Sequence, residues 1–325
     1  MPACTVDQAV AILRAGDLVA FPTETVYGLG ADASNPAALE QIYAVKGRPR
    51  HHPLIVHLAR STQVDAWAID IPFSMQRLAA RYWPGPLTMI LKRAPHVSDV
   101  VTGGQNTIAL RVPSHPVAQA LLSAFGGGIA APSANRYGRV SATTAEHVRS
   151  EFKAAVQCVL DGGASEVGIE STIIDLSGNS PALLRPGAIT ARELEETLGH
   201  ALVAASAASP RAPGMLAKHY APQTPLMLME ADLLLEIAAS MTRQGQAVAV
   251  LARSARQPLL DRLTWIAAPA DAVGYAHDLY ANLRALDSAG SHAILVEAPP
   301  LALEWAAVHD RLMRAADGST VPDAT

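Results

Sequence analysis

Phe21-Pro22-Thr23-Glu24-Thr25-Val26-Tyr27-Gly28-Leu29-Gly30 is where the reading of this chain begins. Leu18 to Phe21 ahead of it is a short apolar run of strand length. Pro22 ends that strand, because it cannot donate to a ladder. Three hydroxyl or carboxyl side chains then crowd together before a Gly-x-Gly, whose glycines let a backbone bend and approach a ligand. A strand that runs into a polar, glycine-bearing loop is how an open α/β sheet builds a crevice at its carboxyl edge. A plain turn is the competing reading. No third glycine stands at dinucleotide-fingerprint spacing and no Gly-Lys-Thr follows, so the two common nucleotide motifs are absent.

Composition narrows the class. A chain of 325 residues suits two domains or one large one, and an apolar half can bury a sizeable core. No uninterrupted apolar run of about 18 residues occurs, so no membrane span is expected. The N-terminus shows no basic segment followed by an apolar one, so no secretory signal is expected. The two cysteines, Cys4 and Cys158, frame neither a disulfide scaffold nor a zinc site, and a reducing cytoplasm is the simple expectation. A formal charge of −4 argues against a general nucleic-acid binder, so any attraction for anions must be local.

Elements follow in order. Thr5 and Gln8 stand at capping-box spacing, opening a helix from Thr5 to Ala15 with Gly16 beyond it. Asn35-Pro36 opens a second helix whose apolar side, Leu39, Ile42 and Tyr43, also carries Lys46. Lys46, Arg48 and Arg50 with His51 and His52 form the densest positive cluster, leading into a strand at Leu54 to Leu58 that holds His57. Cations at a helix C-terminus can also be mere decoration. A helix at 73–82, a strand at 87–92 and a strand from Thr107 to Val112 come next, with Arg111 near the end of the last. A helix at 116–124 and a strand at Ile129 to Ala131 lead into Pro132-Ser133-Ala134-Asn135, with Ser141 shortly after, a second passage from strand to polar loop. A helix at 144–155 and a strand at 156–160 precede a third polar knot, Glu170-Ser171-Thr172. Leu184-Arg185-Pro186-Gly187 reads as a basic turn. Thr190 and Glu193 cap a helix ending near Leu198, and 199–224 reads as a linker that nevertheless carries Lys218-His219-Tyr220 between prolines, as a lid would. From 225 on, alternating strands and helices describe a smaller α/β unit with a mostly parallel sheet.

Thr23-Glu24-Thr25-Val26-Tyr27-Gly28-Leu29, Lys46-x-Arg48, Pro53 to His57, Pro132 to Asn135, Glu170-Ser171-Thr172 and Leu184 to Gly187 resemble the YrdC-like domain in order and spacing. Pro213-Gly214-Met215, Lys218 to Pro222 and the C-terminal α/β unit resemble the long, two-domain form of threonylcarbamoyl-AMP synthase. The resemblance implies an α/β fold: a twisted open YrdC-like sheet with a concave cavity over 1–198, a linker or lid over 199–224, and a Rossmann-like auxiliary domain over 225–325. It implies that L-threonine, bicarbonate and ATP give threonylcarbamoyl-AMP and pyrophosphate. A downstream complex then carries the threonylcarbamoyl group to adenosine 37 of transfer RNAs reading codons that begin with A. Catalysis is expected from Lys46, Arg48, Ser133 and Asn135. ATP is expected against Arg48, His52, Thr107, Ser133, Ser141, Arg185 and Tyr220, with His52 standing where asparagine is common. L-threonine is expected against Thr25, His57, Arg111, the backbone of Ala131, and Ser171, with Arg111 on its carboxylate. The family is Mg-dependent, and a phosphate-bridging Mg2+ needs few protein ligands, so no protein metal site is expected.

Such a transfer needs positioning and charge stabilisation rather than an activated protein nucleophile, which agrees with the lack of any Ser-His-Asp or Cys-His arrangement. Some YrdC-like proteins are described as binding double-stranded RNA; the acidic balance here speaks against that as the main role. Hydrogenase maturation factors that transfer carbamoyl groups contain a similar domain, but they also need cysteine-rich zinc motifs that two cysteines cannot supply.

Overall fold

The computed structural model of the protein describes residues 4–206, 209–214 and 219–316. It divides into two compact units, Met1–Tyr137 with Ser141–Met215, and Gly138–Val140 with Leu216–Thr325.

The first unit is built on ten strands: β1 (Val19–Phe21), β2 (Gly28–Asp32), β3 (Ile55–His57), β4 (Ala68–Ile69), β5 (Leu87–Arg93), β6 (Thr107–Arg111), β7 (Ile129–Ala130), β8 (Cys158–Val159), β9 (Thr172–Asp175) and β10 (Ala182–Arg185). They lie in the order β10-β9-β5-β6-β3-β7-β2-β1-β8, with β4 beside β5. The sheet is mixed: β1 and β2 are antiparallel, β3 and β6 parallel, and β5 runs antiparallel to β6 but parallel to β9. Helices form where cap and pattern agree. Thr5 makes both halves of its capping box before Val6–Arg14, and the Asn35 side chain accepts from Ala37 and Ala38 to start Pro36–Lys46. The latter buries Leu39, Ile42, Tyr43 and Lys46 on one side.

Two expectations about strands are corrected. The Gly-x-Gly does not turn. Gly28 and Gly30 sit inside β2, paired with Phe21 and Val19, so residues 22–27 form the loop of a hairpin and the glycines belong to its second strand. The glycines are there for space: a Cβ on Gly30 would lie 2.8 Å from both Phe21 and Ile129 side-chain carbons. The basic turn at 183–187 begins as strand β10, whose register against β9 slips between Leu183 and Arg185. A bulge of this kind re-aims side chains. Gly187 then packs so tightly on Thr172 that a Cβ would approach its backbone N to 2.4 Å.

A third correction concerns sulfur. Cys4 and Cys158 are joined as a disulfide across 154 residues, tying the segment before the first helix to the edge strand β8. Spacing along the chain carried no sign of this, because the pair is made by the first helix and the segment ahead of it packing in one cluster with Cys158.

The second unit holds β11 (Leu226–Met229), β12 (Val248–Ala252), β13 (Leu263–Ala267) and β14 (Ala293–Glu297), all parallel in the order β11-β14-β12-β13. Within 199–224, Val203 bridges Ala182, and Arg211 donates to the carbonyls of His51 and Gly103. Met215 and Lys218 lie outside the described residues. No described helix is long and apolar enough to cross a membrane.

Gly30→Ala is expected to destabilise the first unit by about 1–3 kcal/mol, because the added methyl must displace two core side chains; urea unfolding reads this directly. Reduction of Cys4–Cys158 is expected to lower the thermal midpoint, since the bond closes a long loop worth about 4–5 kcal/mol in chain-entropy terms. Scanning calorimetry with and without dithiothreitol, alongside thiol titration, checks it.

Candidate active site

The 22–27 loop is stitched to three other segments through the backbone. Tyr27 donates to Ala142 at 2.8 Å and accepts from Ala134 at 2.7 Å, while Val167 donates to the Glu24 carbonyl at 2.7 Å. Gly28 also forms a β-bridge with Ser133. Polar groups far apart in sequence thus meet around one hairpin.

Lys46, at the end of its helix, is 3% exposed, and its Nζ donates to the main-chain carbonyls of Ser133 (2.6 Å) and Asn135. Its amine therefore holds the 133–135 loop in place. Burial, and then the charge of Arg48, push its pKa well below the ordinary lysine value, while Glu151 and Glu170 oppose the shift. Glu170 in turn accepts from the Ser141 hydroxyl at 2.6 Å. Arg48 is buried and donates to the Pro53 carbonyl at 2.9 Å. His52 packs edge-on to His51 and Tyr137, and its Nδ1 lies 3.3 Å from the Tyr137 hydroxyl. Burial, then the neighbouring Arg48, lower its pKa to about 4, so it is neutral at pH 7. Arg50 pairs instead with Glu40 on the surface.

Arg111 ends β6 opposite His57 of β3. It is 3% exposed and its guanidinium is shared out: Nη2 pairs with Glu24 at 2.7 Å, Nη1 donates to Thr25 Oγ1 at 2.8 Å, and Nε donates to the Gly85 carbonyl at 3.2 Å. Thr23 donates its hydroxyl to the Val26 carbonyl at 2.6 Å, so Thr25 donates to Thr23 across 2.8 Å while accepting from Arg111. Burial, then the positive charge of Arg111, lower the His57 pKa to about 3. Ala131 donates its backbone N–H to the Ile55 carbonyl at 2.9 Å.

A third knot sits at β9. Ser171 Oγ lies 2.7 Å from Thr88 Oγ1, and Arg185, aimed by the bulge, donates to the Ser171 carbonyl from Nε (3.1 Å) and Nη2 (2.9 Å). Its Nη1 reaches the Pro213 carbonyl at 3.0 Å. Thr172 donates its backbone N–H to Pro86 next to Gly85, which joins this knot to the Arg111 group. Thr107 opens β6, half-buried. Tyr220 belongs to the second unit, where it stacks on Tyr280 under the Arg311 guanidinium. A cavity of about 340 Å³ with Trp67, His96 and Gly126 to Gly128 in its wall opens at the other end of the β2–β7 pair, and none of the expected site residues line it. No cluster of three or more His, Cys, Asp or Glu side chains able to hold a metal occurs among the described residues.

The sequence reading gave no role to Glu24, Thr88 or Glu170, which partner Arg111, Ser171 and Ser141. For Glu24 a signal exists: a carboxylate in a stretch otherwise reading as buried needs a cation.

These features place the chain in a family. Residues 11–187 match the Sua5–YciO–YrdC family model, described as telomere recombination, and the chain belongs to that family. Its long form is met as well: residues 189–317 match the model described as threonylcarbamoyl-AMP synthase, C-terminal domain. A threonylcarbamoyl-AMP synthase of Bacillus subtilis is 38% identical over 323 residues, covering 97% of this chain and 93% of its own. One of Pyrococcus abyssi is 38% identical over 300 residues, covering 89% and 87%. The crystal structure of the Pyrococcus abyssi protein, described as complexed with L-threonine, superposes with a TM-score of 0.89 at 37% identity, covering 96% of this chain and 94% of that one.

The depressed His57 pKa has a sign. The unfolded chain binds a proton near pH 6.5 that the folded chain refuses until about pH 3, so stability present above 6.5 is lost as pH falls through that window. Urea unfolding between pH 7 and 4 is expected to show the loss, of up to about 3 kcal/mol, and His57→Gln to flatten it.

Proposed function

We propose that the first unit joins L-threonine, bicarbonate and ATP into threonylcarbamoyl-AMP, releasing pyrophosphate, as a cytoplasmic step of transfer RNA modification at adenosine 37. The observation that carries this reading is the nearly full-length likeness to curated threonylcarbamoyl-AMP synthases. The threonine amine, having lost a proton, bonds to the carbon of bicarbonate with loss of water. A carbamate oxygen then bonds to the α-phosphorus as the bond to the β-phosphate oxygen breaks, and pyrophosphate leaves. Each step asks for held geometry and compensated charge.

In this reading Arg48 and Arg185 neutralise the triphosphate, and Ser133, Asn135, Ser141, His52 and Thr107 contact the nucleotide. Lys46 acts first by holding the 133–135 loop; an arriving polyphosphate favours its protonated form and offsets the shift that burial imposes. Thr25, His57, Arg111, Ser171 and the Ala131 backbone take the amino acid. Glu24 pairs with Arg111 and Glu170 accepts from Ser141. In this reading Mg2+ arrives as part of the substrate, carried on the triphosphate, where it needs few protein ligands. The product is a reactive mixed anhydride, which calls for a transferase complex downstream.

Purified protein with Mg-ATP and bicarbonate is expected to release pyrophosphate only when L-threonine is present, in a coupled phosphate assay. Equal release without threonine rejects the reading. Arg48→Ala is expected to lower kcat/KM by about 100-fold with the circular dichroism spectrum unchanged.

A further inference from the structure

The Arg111 guanidinium is not a bare cation. Glu24 is 3% exposed, its Oε1 stands 2.7 Å from Arg111 Nη2 as an ion pair, and neither carboxylate oxygen accepts a hydrogen bond from any described group. The pair is therefore the carboxylate's sole compensation among those groups. Two of the five N–H groups of Arg111 are donated, to Thr25 and the Gly85 carbonyl, and Nη2 faces Glu24 as an ion pair without a hydrogen bond, which leaves one N–H on Nη1 and two on Nη2. In a water-excluded setting the net charge of such a group decides what it admits, because a ligand of the wrong total charge loses its hydration without repayment.

The geometry points to Glu24 as a specificity-determining residue: by cancelling the charge of Arg111 it makes the amino-acid subsite accept a zwitterion and reject a simple carboxylate. This rests on the reading of Arg111 as the contact for the substrate carboxylate. A zwitterion brings no net charge to a neutral pair. Its carboxylate meets the N–H groups left on Nη1 and Nη2, while its ammonium, on the adjoining carbon, is attracted by the Glu24 charge. A carboxylate lacking the ammonium adds an unbalanced negative charge beside Glu24. Without Glu24 the preference inverts, since an uncompensated Arg111 favours any anion. Thr25 strengthens the same selection. Its hydroxyl hydrogen is spent on Thr23, so it offers a ligand only an acceptor.

The test compares L-threonine with its 2-hydroxy analogue, in which a hydroxyl replaces the α-ammonium, by calorimetry on the full chain. The wild type is expected to bind L-threonine at least about tenfold more tightly than the analogue. Glu24→Gln, which keeps the shape and removes the charge, is expected to shrink that ratio at least about tenfold, with the KM for ATP within about twofold of wild type. A residue serving only the fold would weaken both ligands equally and leave the ratio where it was, and that outcome overturns the inference. Should Glu24→Gln fail to fold, the wild-type ratio decides: equal affinity for the two ligands overturns it as well. A wild type that binds no L-threonine at all rejects the underlying functional reading instead, so the two failures are told apart.

Discussion

A guanidinium cannot be buried alone. Arg111 stands 3% exposed at the end of a central strand, and the loop joining β1 to β2 takes the shape that answers it. Glu24 supplies the countercharge and Thr25 an acceptor, with Thr23 locking Thr25 from behind. Removing one partner of such a pair costs far more than the pair is worth against an apolar replacement, roughly 3–5 kcal/mol. Its presence beside a core built of aliphatic, methionine and aromatic side chains argues for a task other than stability.

The rest of the first unit delivers that loop to its neighbours. Gly30 lets β2 close against Phe21 and Ile129, so the hairpin lies flat enough for Tyr27 to bond Ala134 and Ala142. The buried amine of Lys46 secures the Ser133–Asn135 loop from beneath, and the β10 bulge turns Arg185 onto Ser171. Each cation is thereby spent partly on main-chain oxygens. Such a site is tied to the main chain before any ligand arrives, which suits chemistry that depends on placing two substrates rather than on a protein nucleophile.

Much of this was legible from residues alone. Caps at Thr5, Asn35 and Thr190 stand where the spacing placed them, as do the alternating elements beyond 225. The ordered polar motifs pointed to the family that the full-length likeness now supports. What failed to show were facts of pairing. A Gly-x-Gly after Pro22 reads as a turn, and only the presence of Phe21 and Ile129 on either side reveals it as strand. Leu184 to Gly187 reads as a basic turn until β9 is beside it. Cys4 and Cys158 are two unremarkable thiols until the first helix packs beside β8.

Local chemistry, then, belonged to the sequence: caps, periodicity, the residue types at each polar knot, and the charge they carry. Those depend on neighbours a few positions away, which a string of letters records. The tertiary structure alone decided which carboxylate answers which guanidinium, which amine holds which loop, and where sulfur meets sulfur. Those are contacts across 87 residues for Arg111 and Glu24 and 154 for the cysteines, set by strand order and register.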